Sequence, residues 1–326
     1  MKYSLWATLV VCSIATLILG PTSLETVWQG VLERFSGTSD SWNPLLDERL
    51  PRLLVLIATG ASLSVAGGVM QSLFQNPLAS PGVLGMTAGS SLSILIVLIT
   101  GCHIIYPFAI PIAAIGGCLL TIMIIWSLSR CHGMYHLILT GIALSTTLIA
   151  IHGVIVYALR DQWQLMQTIA EWEAGSTLDR TWQHAHMQLP LTIIGLIGCW
   201  RYRREINILA LGDEDACNLG VDVDTVRWRL FICVALLIGG AMAAVGVIAF
   251  FGLVLPHVIR RLQGPDNIRL IPLCAIAGAT VLVLLDNILR FFTIHWLSIG
   301  NLSAALGGIF FLGLLVQQLR QGATYA

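Results

Sequence analysis

Continuous apolar runs rich in Leu, Ile, Ala and Gly recur from end to end of this chain, each far longer than a barrel strand. A soluble fold cannot cover that much apolar surface. Of the 326 residues 56% are hydrophobic and 10% charged, where ordinary soluble domains carry about 25% charged residues. The membrane is therefore the solvent. Runs of this length satisfy their own backbone polar groups in lipid only as helices, which argues against an outer-membrane barrel. At about 20 residues per crossing, the chain accommodates roughly ten helices with short connections. The expected fold class is all-α and polytopic, with one transmembrane domain over residues 1–326.

The apolar runs place spans at 5–20, 51–72, 83–100, 107–129, 134–159, 187–200, 228–248, 250–263, 268–289 and 300–319. Two of them, 187–200 and 250–263, are short and need flanking residues or a tilt to cross. With the N-terminus in the cytoplasm, Lys2, Arg130, Arg201, Arg203, Arg204, Arg227, Arg229, Arg260, Arg261, Arg269 and Arg320 fall inside. Only Arg34, Arg49, Arg52, Arg160, Arg180 and Arg290 fall outside. That asymmetry satisfies the positive-inside rule and puts both termini in the cytoplasm. The run from Lys2 to Leu19 reads as an uncleaved first span, since no clear small-residue cleavage site follows it. Trp6, Trp28, Trp126, Trp163, Trp182, Trp200, Trp228 and Trp296 lie near span ends, where amphipathic rings prefer to sit. Net charge is zero and gives no pointer to nucleic acid. The eight cysteines are scattered without a CxxC pair and read as packing residues.

Small residues recur at helical spacing in Gly60, Ser64 and Gly68, and again in Gly240 and Ala244. Such stripes let helix backbones approach closely, either within the chain or at a subunit interface. Two connections are long. Residues 21–50 contain a short amphipathic piece, Thr22 to Phe35, ahead of Arg49-Leu50-Pro51-Arg52. Residues 201–227 read as an elbow on the cytoplasmic side. In it Ile206 to Leu211 forms a short helix, Gly212 stops it, Asp213 is the N-cap, and Glu214 to Leu219 forms a second helix ended by Gly220. A solvated loop is the alternative reading from these residues alone.

The chain's one lysine is Lys2, so no GxxxxGK[ST] phosphate loop exists here. No Ser/His/Asp or Cys/His arrangement can be placed, no carboxylate pair projects from one apolar face, and enzyme activity is not expected. A secondary transporter would need ionisable groups in the membrane. The candidates are His152, His257, Asp286, Arg290 and His295, each toward a span end. Asp286 and Arg290 stand i, i+4 with the acid first, the favourable order for a helical ion pair.

Three stretches are more specific. The first is Arg49-Leu50-Pro51-Arg52, then Gly60-Ala61, Gln71 and Asn76-Pro77-Leu78-Ala79-Ser80-Pro81-Gly82-Val83-Leu84-Gly85. The second is Leu209-Ala210-Leu211-Gly212-Asp213-Glu214-Asp215-Ala216 with Leu219-Gly220-Val221. The third runs from Gly246 to Arg260 and contains Gly252, Pro256, His257 and Arg260 in a GxIxFxGLxxPHxxR pattern, followed by Asp286 to Arg290 as DxxxR. Together they resemble the FecCD family, the permease subunits of ABC importers for iron siderophores, haem, cobalamin and related cargo. The resemblance implies a ten-helix, cobalamin-importer-permease-like subunit of a bacterial inner membrane. It implies a second permease, two ABC ATPase subunits inside that bind ATP and magnesium, and a periplasmic substrate-binding protein outside. The remaining surface would meet lipid, and this chain would need no cofactor or metal of its own. Residues 209–220 would be the coupling elbow that docks into the ATPase. Arg49, Arg52 and Arg290 would pair with acidic groups of the binding protein.

The chain departs from the family near its end. Where the family resembles EIPVGxxTAxxGAPFF, this chain reads Trp296-Leu297-Ser298-Ile299-Gly300-Asn301-Leu302-Ser303-Ala304-Ala305-Leu306-Gly307-Gly308-Ile309-Phe310-Phe311, lacking the Pro and the acid. The helix break before the last span thus loses its usual residues, and the second permease is either another copy or a homologue. An iron chelate is the expected cargo, ahead of haem, cobalamin and oxyanions such as molybdate. The alternative is an ion-coupled secondary transporter acting without an ATPase, with His257 and Asp286 as relay groups; a non-transporting membrane scaffold ranks behind it.

Overall fold

The computed structural model describes residues 2–18, 24–36, 42–129, 133–292, 294 and 297–322. Among them the chain is helical, without strands. In order come α1 (Lys2–Ile18), α2 (Leu24–Phe35), a π-helical turn (Pro44–Arg49) running straight into α3 (Leu50–Leu73), α4 (Met86–Thr100), the single turn α5 (Cys102–Ile105), α6 (Ala109–Ser129), α7 (Gly133–Ala158) and α8 (Trp163–Ala174). They are followed by α9 (Trp182–Arg201), α10 (Arg203–Leu209), α11 (Asp213–Asn218), α12 (Val223–Val245), α13 (Phe251–Gln263), α14 (Asn267–Phe291) and α15 (Ile299–Gly322).

Each of the ten expected spans falls on one of these helices. Among the described residues five helices are long and apolar enough to cross a membrane: Pro44–Leu73, Ala109–Leu128, His136–Ala158, Val223–Val245 and Asn267–Phe291. Tyr3–Ile18, Met86–Thr100 and Ile299–Gly313 are apolar but shorter. The expected span at 187–200 starts five residues earlier, at Trp182, where the Thr181 amide donates to His184 Nδ1 (3.3 Å). The run at 250–263 is a correction. Its helix α13 has 13 residues, about 20 Å at 1.5 Å per residue, against about 30 Å of hydrocarbon. Left-handed Phe250 (φ 64°) and Gly264 (φ 86°) close it at both ends, so flanking residues do not extend it.

The core sits around α3, 89% of whose apolar window is buried, whereas the window of α7 is 11% buried and lies at the periphery. α3 packs most extensively on α14 and is flanked by α9, α12 and α13. Lipid tails are as apolar as the helices, so association depends on close van der Waals packing. Glycines provide it. A Cβ on Gly60 would collide with the Gly278 carbonyl of α14, one on Gly278 with the Gly60 carbonyl, and one on Gly67 with Gly252 of α13. Of the expected stripe, Ser64 also meets Gly278, and Gly68 meets Pro256, Leu270 and Cys274. The stripe is thus an intramolecular contact. Gly240 likewise faces Leu191 and Gln188 of α9.

The break before α15 survives the departure from the family pattern. Ser298 Oγ donates to Ala174 O (2.7 Å) and accepts from the Asn301 amide (3.2 Å), while Gly300 N donates to Gly175 O (3.1 Å). Not every tryptophan belongs to an interfacial belt. Trp6, Trp28, Trp163 and Trp200 are exposed, but Trp126 and Trp228 pack edge to face with each other and with Phe231, and Trp182 Nε1 donates to Leu46 O (2.9 Å). Thr22, Arg130, His295 and Trp296 lie outside the described residues.

Gly67→Ala is expected to destabilise the detergent-solubilised protein by about 1–3 kcal/mol through overpacking. Gly153→Ala, where a Cβ has open space inside α7, should be neutral to about 1 kcal/mol stabilising. Thermal unfolding followed by tryptophan fluorescence checks both, and equal stability of the two variants would refute the close-packing account.

Candidate functional site

Two polar constellations occupy opposite ends of α14. At its first residue stands the elbow. Arg203–Leu209 forms α10, Ala210 and Leu211 make the turn, and Gly212 takes φ 124°, a conformation open to glycine. Gly212, not Asp213, is the N-cap of α11. Asp213 is the first helical residue and its carboxylate is taken instead by Arg227 Nη2 (2.6 Å). Arg227 is itself buried and lies over the Trp126 ring, so this pair ties α11 to α12 and α6. α11 ends as expected at Gly220 (φ 81°). Gly220 N bonds to Cys217 O (2.9 Å) and Val221 N to Ala216 O (3.0 Å), the paired bonds of a Schellman cap.

The elbow is seated on one side and bare on the other. Ile206, Leu209 and Ala216 are buried, whereas Leu211 and Leu219 are each 61% exposed beside exposed Glu214 and Asp215. A chain of hydrogen bonds holds its seat. Asn207 Nδ2 donates to Asp266 Oδ1 (2.7 Å), and Asn207 Oδ1 accepts from the Asn267 amide (2.7 Å) and from Asn267 Nδ2 (2.9 Å). Ser72 Oγ donates to Asn267 Oδ1 (2.9 Å), and Arg260 Nη2 donates to Ser72 Oγ (3.1 Å) and Gly68 O (3.2 Å). Gln75, in the left-handed region (φ 46°), donates from Nε2 to Leu209 O (3.2 Å). Asp266 caps α14 through the Ile268 amide (3.0 Å). The Asn207 hydrogen bond, with that amide second, holds the Asp266 carboxyl below its usual range.

Most of the remaining signature residues serve the same end. Gln71 Nε2 donates to Leu253 O (3.0 Å) across to α13. Asn76 Oδ1 accepts from Leu78 N (2.9 Å), closing a turn around Pro77. Pro81 O accepts from Met86 N (3.0 Å), and Gly85 (φ 74°) is the N-cap of α4 against Thr121 and Ser145. Gly252, Pro256, His257 and Arg260 all lie on α13, where Pro256 is buried and His257 half-buried.

The arginines gather at the other end. Arg52 Nη2 pairs with Asp286 Oδ1 at 2.6 Å, their side chains 7% and 0% exposed, and Thr177 Oγ1 donates to the same oxygen (2.7 Å). The expected i, i+4 pair of Asp286 with Arg290 is therefore corrected. Arg290 Nη1 instead donates to Thr16 O (3.2 Å). Arg49 is buried and donates to Leu17 O (2.8 Å) and Ile18 O (3.1 Å). Arg180 is half-buried nearby, its pKa lowered by burial and by Arg52 although Asp179 and Glu171 oppose the shift. Among the described residues no hydrogen bond joins His257 to Asp286, the two groups of the relay alternative.

The geometry defines a polytopic helical membrane protein with a braced elbow at one end and an arginine cluster at the other. The FecCD transport family model matches residues 8–317. The chain is 37% identical to the hemin transport system permease protein of Yersinia pestis, covering 96% of this chain and 94% of that one. It is 33% identical to the Fe(3+) dicitrate transport system permease protein of Escherichia coli (97% and 99%), and 35% identical to the vitamin B12 import system permease protein of Vibrio vulnificus (97% and 96%). A solved structure described as an inward-facing metal-chelate type ABC transporter superposes with a TM-score of 0.82 at 27% identity over 97% of both chains. The chain belongs to the FecCD transport family.

Breaking a buried ion pair leaves an uncompensated charge, at a cost of roughly 3–5 kcal/mol. Asp286→Leu is expected to lose about that much thermal stability, and Arg52→Met with Asp286→Leu to regain most of it; a double variant no better than the single one would show that the pair is not the source. Asp266 gives a pH prediction. Its folded pKa is depressed, so its stabilisation is complete above the unfolded carboxylate's value of about 3.9 and is lost as pH falls through the folded value. Thermal unfolding of the wild type should therefore fall more steeply between about pH 5 and 3 than that of Asp266→Asn, which keeps the cap. Parallel curves would refute this.

Proposed function

We propose that this chain is the permease subunit of a binding-protein-dependent ABC importer for an iron chelate. The observation that carries the reading is the exposed elbow of a FecCD-family chain. Leu211 and Leu219 present apolar surface outside the bundle, while Asp213, Asn207 and Gln75 lock the elbow to α12, α14 and α3. In this reading the leucines enter a groove on an ATPase subunit, which binds ATP and magnesium and supplies the energy. Two ATPases serve two permeases, the second being another copy or a homologue.

The elbow end and both termini face the cytoplasm of a bacterial inner membrane, and the end bearing Arg52 and Asp286 receives a periplasmic binding protein. Arg290, half-buried, is the arginine a docking carboxylate reaches first; Arg49 and Arg52 reach it by leaving the Leu17 and Ile18 carbonyls and Asp286. Interfacial pairs of this kind steer association and weaken with salt. The similarity to hemin and Fe(3+) dicitrate permeases supports an iron chelate, and the vitamin B12 permease marks cobalamin as the neighbouring cargo.

Co-purification of the tagged chain from solubilised membranes tests the reading, with bound ATPase identified by mass spectrometry and uptake scored in liposomes. Wild type should bring down an ATPase with a phosphate loop, and Leu211→Glu with Leu219→Glu, both at exposed positions, should lose it while the permease stays folded. A wild-type chain that purifies without an ATPase and still transports would replace this reading with the ion-coupled one.

A further inference from the structure

We propose that Asn207 is the positioning residue that joins the elbow to α14, so that displacement of the elbow by an ATPase moves α14 and α3 as one body; this rests on the importer reading above. The geometry is that of a clamp. One side chain donates to the carboxylate that caps α14 and accepts from the helix's first amide, each at 2.7 Å. A helix N-terminus carries unpaired amides, and here two of them are satisfied by Asp266 at Ile268 and by Asn207 at Asn267. Moving α10 away from α14 by little more than an ångström would break all three Asn207 bonds and leave an amide of the half-buried first turn unpaired, which costs about 1–3 kcal/mol. Moving together costs neither.

The rest of α14 is built to carry such a movement. Asn267 is fully buried and bonded to Ser72 of α3, and Ser72 is held in turn by Arg260 of α13. Gln75, just past the end of the same α3, donates to the last carbonyl of α10, Leu209 O. Midway, Gly60 and Gly278 bring the two backbones into contact, so α3 and α14 cannot slide independently without opening a void. At the far end Asp286 of α14 is paired with Arg52 of α3. From Asn267 to Asp286 α14 rises about 29 Å at 1.5 Å per residue, the stretch that the body bridges between the elbow and the arginine cluster. Asn207, on α10, engages the head of this body through both the nitrogen and the oxygen of its side-chain amide.

The test is a swap. In Asn207→Asp two carboxylates face each other and the donor to Asp266 is gone. In the double variant Asn207→Asp with Asp266→Asn the like-charge clash is removed and the Asn267 groups keep their acceptor; because Asp266 Oδ1 alone accepts from both Asn207 and Ile268, the new side-chain amide at 266 has to turn so that its nitrogen donates to residue 207 while its oxygen keeps the cap of α14. The readout is ATP turnover of the permease assembled in liposomes with its co-purified ATPase, expressed as the ratio of turnover with the cognate loaded binding protein to turnover without it. Asn207→Asp is expected to lower that ratio at least fivefold, and the double variant to restore it to within about twofold of wild type. A general loss of folding would lower yield and both rates together and leave the ratio unchanged. An unchanged ratio in Asn207→Asp, or failure of the swap to restore it, overturns the clamp. If the wild type itself shows no stimulation, the importer reading fails and takes the clamp with it.

Discussion

The contact of Gly60 with Gly278, backbone against backbone, is the constraint on which the remaining architecture rests. Without a hydrophobic drive between helices in lipid, two long apolar helices choose their mutual position by how closely they can approach. At this crossing neither helix tolerates a side chain. Once α3 and α14 are fixed to each other, the positions of both polar ends follow. Ser72 meets Asn267 near the start of α14, and Arg52 meets Asp286 near its end. Gly67 repeats the device for α13, setting that short helix against α3 and bringing Arg260 to Ser72.

The polar groups specify register where apolar packing alone does not. A buried charge pair contributes little net stability, because desolvation offsets most of its attraction. What Arg52 and Asp286 do is penalise alternatives: turning or sliding α14 by one residue would bury Asp286 without its cation. Thr177 adds a third strand of chain to the same oxygen and so fixes the 175–181 connection, on which Gly246, Val247 and Gly300 also pack. That the expected helix break before α15 persists without its proline has the same origin. The Ser298 hydroxyl and the Gly300 amide bind the carbonyls of Ala174 and Gly175, so the loop is held by its neighbours instead of by its own sequence.

Much of the fold was legible because its signal is local. Apolar runs mark helices one at a time, and Gly212 and Gly220 mark the elbow by the backbone angles they adopt. Apart from the short α13, which Phe250 and Gly264 end locally, the misreadings share one cause, a competitor elsewhere in the chain. Asp286 has an arginine four residues on and takes one 234 residues away, since Arg290 turns to a carbonyl of α1. Asp213 has the composition and place of an N-cap, and Arg227 removes its carboxylate from that role. Trp126 and Trp228 sit at span ends like belt residues, yet face each other inside. Asn207 carried no motif. The cue was on the other side of the contact, where Asp266-Asn267 ahead of an apolar run reads as a capped helix start and leaves open which residue completes the cap.

The elbow's mechanical character follows from the contrast between its two faces. A loop held only by its ends would absorb a push by changing its own dihedrals, and a loop buried on every side would offer nothing to push. Here Ile206, Leu209 and Ala216 are buried and Leu211 and Leu219 are not. The turn between the short helices is fixed by a glycine whose φ of 124° few other residues adopt, and both helices are tethered by side chains of short reach, Asn207 on one and Asp213 on the other. Two tethers to different helices resist rotation as well as translation. In the proposed reading, a force on the leucines would be delivered to α14 through Asn207 and to α12 through Arg227, two helices that both pack on α3, so the single close-packed centre of the bundle would receive it from two directions.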